Sequence, residues 1–151
     1  MITSKLNTAD QVWVRRMNRA IILGVFRTQK TLSRARLATE TGLNPSTVSS
    51  IISELINENL IRETDLIQSS TGRPGRLLEI NPGGGCAMGI EINVDYIEVL
   101  VSDFSANVLW RQCQPSKPET GQNGIMEQVL SLAKQAAEYI LSQDSRLLGI
   151  G

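Results

Sequence analysis

An α+β fold in two domains is predicted by three features of the sequence. Apolar residues at helical spacing fill most of the chain up to Asn57, after which short strand-like runs take over. The stretch NPGGG at 81–85 breaks both helix and strand. Across that break the charge changes sign: residues 1–80 hold 11 Lys or Arg against 7 Asp or Glu, giving +4, and residues 81–151 hold 4 against 8, giving −4. The two domains are therefore expected at 1–81 and 86–151.

From about Asp10 to Thr28, Met17, Ile21, Ile22, Val25 and Phe26 recur at helical spacing and define a first amphipathic helix. Ser33 offers an N-cap for a short second helix containing Ala35, Leu37 and Ala38, which stops at Gly42. Asn44 caps a third helix, with Pro45 in the first position, where no N–H donor is needed; the helix runs to about Asn57. Val48, Ile51, Ile52, Leu55 and Ile56 form its inner stripe, and Ser46, Ser49, Ser50 and Ser53 its outer face. LIRETDLI and LLEI then read as two strands joined by a long polar loop. Three helices and a hairpin, with a short Gly-containing turn between the second and third helices, define a winged helix-turn-helix.

A helix that enters the major groove needs short side chains where the backbone comes close and polar ones where base edges are met. NPSTVSS meets both needs: Asn44, Pro45, Ser46 and Thr47 lie at the helix N-terminus, where N–H groups also favour a phosphate, and Ser49, Ser50 and Ser53 continue the same face. The bland alternative is a solvated surface, for which Glu, Lys or Gln would be more usual than serine. The third helix carries no Arg or Lys, so phosphate contacts must come from elsewhere: Lys30, Arg34 and Arg36, with Ser33 at the start of the second helix. The loop SSTGRPGR at 69–76 fits the tip of a wing. There Gly72 permits close approach, Pro74 stiffens the turn, Arg73 can enter a narrow minor groove, and Arg76 at the base meets a phosphate. Double-stranded DNA is the partner these residues imply. A winged helix serving as a protein–protein module is the competing reading, for which an uncharged wing would be expected.

In the back half, CAMGIEI, IEVLVSDF and NVLWRQC read as three strands of a meander. A long helix marked by Ile125, Met126, Val129, Leu130, Leu132, Ala133, Ala136, Ala137, Ile140 and Leu141 follows, and LLGIG begins a fourth strand. That order resembles the opening of the ribonuclease H-like domain of actin-like sugar kinases. A strand that starts and ends at once leaves a sheet edge unpaired, which favours a fragment of a longer protein.

The segment MNRAIILGVFRTQKTLSRARLATETGLNPSTVSSIISELINENLIRE, the GRPGRLLEINP that follows and GIEINVDYIEVLVSD together resemble the amino-terminal part of a ROK-family transcriptional repressor. Within the family, VDYI and the ENL after the third helix are most similar to xylose-type members. The resemblance spans nearly the whole chain. It implies a repressor of a sugar-utilisation operon, acting as a homodimer or higher homo-oligomer on operator DNA. A sugar effector, xylose favoured, would bind a longer C-terminal domain and lower the affinity for DNA by linkage. The alternative is a ROK-type sugar kinase with an added N-terminal domain. Where the family's kinases carry Asp-x-Gly-Gly-Thr to approach ATP phosphates, this chain has Glu91-Ile92-Asn93-Val94-Asp95. Both glycines are replaced and Asp95 would repel a triphosphate, so Glu91 and Asp95 are read as turn residues, not as a catalytic pair.

The chain has no histidine and only two widely spaced cysteines, Cys86 and Cys113. Ser-His-Asp and Cys-His catalysis and His-containing metal sites are thereby excluded within this chain. No catalytic residue, metal site or cofactor is expected. The apolar runs fall far short of the ~20 residues that cross a bilayer, and the N-terminus lacks the apolar core of a signal peptide, so a cytoplasmic location is expected.

Overall fold

The computed structural model describes residues 3–67 and 75–151. It divides into two compact units, Met1–Ile80 and Asn81–Gly151. The expected α+β fold, a winged helix-turn-helix followed by an α/β sheet domain, is the one observed.

In the first unit, α1 spans Thr3–Thr28, α2 Arg34–Thr41 and α3 Pro45–Asn57. Helix α1 starts earlier than Asp10 because no proline or glycine precedes Gly24 to stop it. Its 26 residues extend to about 39 Å, more than a core made by two short helices can cover. Its buried contacts among the described residues come from its C-terminal half: Ile22 and Phe26 are buried, whereas Met17 and Ile21, expected on the inner stripe, are 53% and 43% exposed. Val48, Ile51, Ile52 and Leu55 of α3 are fully buried with Leu37 of α2, while Ile56 is only half-buried.

Each break between helices has a local cause. Gly42 takes φ 68° at the C-cap of α2, a left-handed conformation that costs other residues more. Asn59 at φ 63° ends α3, and Leu60 N–H donates back to Leu55 O at 2.8 Å, as in a Schellman turn. Strands β1 (Thr31–Leu32), β2 (Ile61–Ile67) and β3 (Gly75–Ile80) form an antiparallel sheet in the order β1-β3-β2. The two-residue β1 was not expected, being too short to show alternation. It pairs Thr31 with Glu79 and Leu32 with Leu78, and buries Leu32 and Leu78 together with Ile61 in the core.

The second unit opens on a single 3₁₀ turn, Pro82–Gly84, where Gly83 N–H donates to the Asn81 side chain at 3.2 Å. Strands β4 (Cys86–Ile92), β5 (Tyr96–Asp103) and β6 (Val108–Pro115) make the expected meander. Helix α4 (Gly121–Ser142) returns the chain so that β7 (Leu147–Ile150) pairs with β4 in parallel, giving the order β6-β5-β4-β7. Gly85, at φ 145°, is required at the crossing, since a Cβ there would come within 2.7 Å of Arg146 O. Val129, Leu132, Ala136 and Ile140 of α4 pack on Cys86, Met88, Ile97, Val99 and Val101 of the sheet. Met126, Leu130 and Leu141, counted with the apolar positions of this helix, instead face outward. Ile125, Ala133 and Ala137 pack, partly buried, against the same cluster, so only Met126, Leu130 and Leu141 are surplus to that contact.

Candidate nucleic-acid interface

The third helix begins as its sequence requires. The Asn44 carboxamide oxygen accepts from Ser46 N–H at 3.0 Å and from the Ser46 hydroxyl at 2.8 Å, and Pro45 occupies the first helical position. With Val48, Ile51, Ile52 and Leu55 turned inward, Ser46, Ser49, Ser50 and Ser53 are all exposed and Thr47 is half-buried at the flank. The Ser53 hydroxyl donates to Ser49 O at 2.9 Å, leaving its lone pairs outward. This is a narrow, uncharged, hydroxyl-rich ridge.

The four serines are not equivalent. Arg15 of α1 donates to Ser50 Oγ at 2.9 Å and reaches Glu54 with the same guanidinium. One turn along both helices, Arg19 meets Glu58 at 2.5 Å and 2.7 Å, and these contacts raise its pKa further above the ordinary arginine value. Ser50, Glu54 and Glu58 thus form a row, four residues apart, that is taken up by α1. Ser46 stands one turn before Ser50 in the same row, and Ser49 and Ser53 stand on the side turned away from it.

Three of the four basic residues expected at phosphates, Arg34, Arg36 and Arg76, are engaged within the protein. Arg36 Nε donates to Glu40 at 2.8 Å, one helical turn away, while Arg36 N–H donates to the Ser33 hydroxyl at 3.2 Å. Arg34 Nη2 lies 2.9 Å from one oxygen of Glu63, and Arg76 Nη1 lies 2.5 Å from the other. Hydrogen bonds from Arg76 and then Arg34 hold the Glu63 carboxyl below the usual carboxylate range. Lys30 is exposed in the bend before β1. Gly72, Arg73 and Pro74, expected at the tip of the wing, lie outside the described residues.

Glu63, Arg15 and Arg19 were not singled out from the sequence. Arg15 and Arg19 are among the 11 basic residues of positions 1–80, and their pairing with α3 balances their charge locally. The available signal was their i,i+4 spacing against Glu54 and Glu58 at the same spacing. For Glu63 no such signal exists, because its two partners come from different elements.

Residues 22–62 match the family model described as winged helix-turn-helix DNA-binding. The chain is 30% identical over 149 residues to the xylose repressor of Bacillus subtilis (strain 168), covering 97% of this chain and 38% of that protein. It is 37% identical over 107 residues to the xylose repressor of Bacillus spizizenii, covering 71% of this chain and 28% of that one. A putative xylose repressor of a Caldicellulosiruptor species is 30% identical over 138 residues, or 91% of this chain and 35% of that protein. The chain is similar to the amino-terminal portion of xylose repressors. A ROK family transcriptional regulator, described as a homologue of the E. coli MLC protein, shares the fold with this chain at TM-score 0.68 and 22% identity, over 91% of this chain and 35% of that one. The chain thus spans between 28% and 38% of the length of these relatives.

The position where ROK kinases carry their glycines is a tight β-turn here. Asn93 N–H donates to Tyr96 O at 2.8 Å, Val94 is 76% exposed, and Asp95 O accepts from Ser116 N–H at 3.0 Å. Asp95 is a turn residue, as read from the sequence. Glu91 is not: it lies in β4 opposite Glu98, and its carboxylate accepts from the Tyr96 hydroxyl at 2.6 Å, which raises the Tyr96 pKa. Continuous pairing of β4 with β5 through Ile92 carries Glu91 into the sheet. Among the described residues, no helix is long and apolar enough to cross a membrane.

Proposed function

We propose that this chain binds double-stranded operator DNA through α3 and the wing, as the DNA-binding part of a repressor of a sugar-utilisation operon. The observation that carries this reading is the ridge of Ser46, Ser49 and Ser53 beginning at the capped N-terminus of α3. It is narrow enough for a major groove and offers donors and acceptors without charge. Affinity comes from phosphate contacts by Lys30, Arg34, Arg36 and Arg76, and from Arg73 in the minor groove. The sugar effector is xylose, after the names of the relatives, and it acts through a longer C-terminal domain by favouring an arrangement of the dimer that fits DNA less well. The protein works in the cytoplasm as a homodimer or higher homo-oligomer on a palindrome with half-sites about one helical turn apart, or a multiple of that. It catalyses no reaction.

Footprinting on the promoter of a sugar-utilisation operon, with the chain extended to the full gene length, tests the proposal. Two-fold protection that xylose relieves without xylose being consumed is the expected result. Binding with no dependence on salt, or protection of a single asymmetric half-site, would overturn it.

A further inference from the structure

We propose that Glu63 is a built-in stand-in for a DNA phosphate, occupying Arg34 and Arg76 in the free protein and giving them up when the backbone docks. The proposal rests on the DNA-binding reading above and adds a control on it. Arg34 is the first residue of α2 and Arg76 the second of β3, so the two guanidiniums come from the helix-turn-helix and from the wing. They converge on the two oxygens of one carboxylate, at 2.9 Å and 2.5 Å. Carboxylate and phosphate are the two anions whose oxygens match the arginine fork, and a site that gathers two arginines around one is shaped for the other.

The exposures set the direction of exchange. The Glu63 side chain is 24% exposed and that of Arg76 is 62%, so the carboxylate lies beneath a guanidinium that solvent, and hence a phosphate, can reach. Ion pairs this open to water are weak enough to be traded. Glu54 also meets two arginines, but both belong to α1 and serve to fasten it to α3. Glu63 is therefore a positioning residue: it keeps two mutually repelling cations together while lowering the charge they present to DNA at large.

The test uses the 151-residue chain with Glu63→Gln, which keeps size and removes charge, and a labelled mixed-sequence duplex followed by fluorescence anisotropy across a salt series. Far-ultraviolet circular dichroism establishes that the variant is folded. The expected result is binding about three- to tenfold tighter at low salt, with the slope of log K against log salt steeper by about 0.9, as one added cationic charge requires. Both gains should vanish when Arg34→Ala and Arg76→Ala are added. Equal gain in that background, unchanged binding, or weaker binding by Glu63→Gln would overturn the proposal while leaving DNA binding in place. Failure of both the unaltered chain and Glu63→Gln to bind the duplex at the lowest salt would overturn the DNA-binding reading along with it.

Discussion

The guanidinium of Arg15 on the first helix donates to the hydroxyl of Ser50 on the third at 2.9 Å. One side of the serine ridge is therefore occupied by protein. If α3 reads base edges, its work falls to the serines turned away from α1. Ser49→Ala should cost about 1 kcal/mol of operator affinity, the usual net worth of one hydrogen bond, and Ser50→Ala less than half of that. Anisotropy titrations on a footprinted operator distinguish them, and a larger loss for Ser50 would place the groove on the α1 side.

The same guanidinium makes a prediction for stability. The Arg15–Glu54 pair is two-fifths exposed on both sides, so breaking it with Arg15→Ala should lower stability by no more than about 1 kcal/mol. Ile51→Ala, which empties a fully buried position, should cost about 2–5 kcal/mol. Urea unfolding monitored through amides of the first unit gives both values on one scale. Comparable losses would mean that α1 is held by its ion pairs rather than by Ile22 and Phe26.

Backbone conformation gives an independent check at Gly42. At φ 68°, with nothing within 4 Å of where a Cβ would lie, Gly42→Ala meets no clash and only the left-handed backbone penalty. That penalty is about 1 kcal/mol. Gly42→Asn should cost less, since asparagine tolerates this region. The unfolding midpoints of the two variants decide it.

The winged helix was legible because its punctuation is local: Ser33, Gly42, Asn44 and Pro45 each act within a few residues of where they stand. The meander and α4 were legible for a related reason, that periodicity switches once between strand and helix. What could not be read was which of several apolar positions finds a partner. Met17, Ile21, Met126 and Leu130 share the periodicity of their buried neighbours, but a helix face is wider than the core beneath it. Charge was the least legible property. Arg34 and Arg76 stand out as unopposed cations in one dimension, and their shared partner Glu63 becomes visible only after the chain has folded, whereas Glu40 stands four residues after Arg36 on one helix and was legible as its partner.

Glu63 gives the last prediction, on acid stability. Its carboxyl is held below the ordinary range by Arg76 and Arg34 in the folded protein, whereas the unfolded chain titrates near the usual glutamate value of about 4.3. Between those values the unfolded state binds the proton and the folded state does not, so stability rises with pH there. The contribution is fully present above the unfolded value and disappears as pH falls through the folded one. Glu63→Gln cannot titrate and should lack this segment of the curve. Urea midpoints at neutral pH and across the acid range should therefore draw together for the two proteins as pH falls, with the unaltered chain the more stable only on the neutral side. Curves that stay parallel down to the lowest pH would show that Arg34 and Arg76 do not hold the carboxylate in solution, and the pairing on which the phosphate exchange depends would go with it.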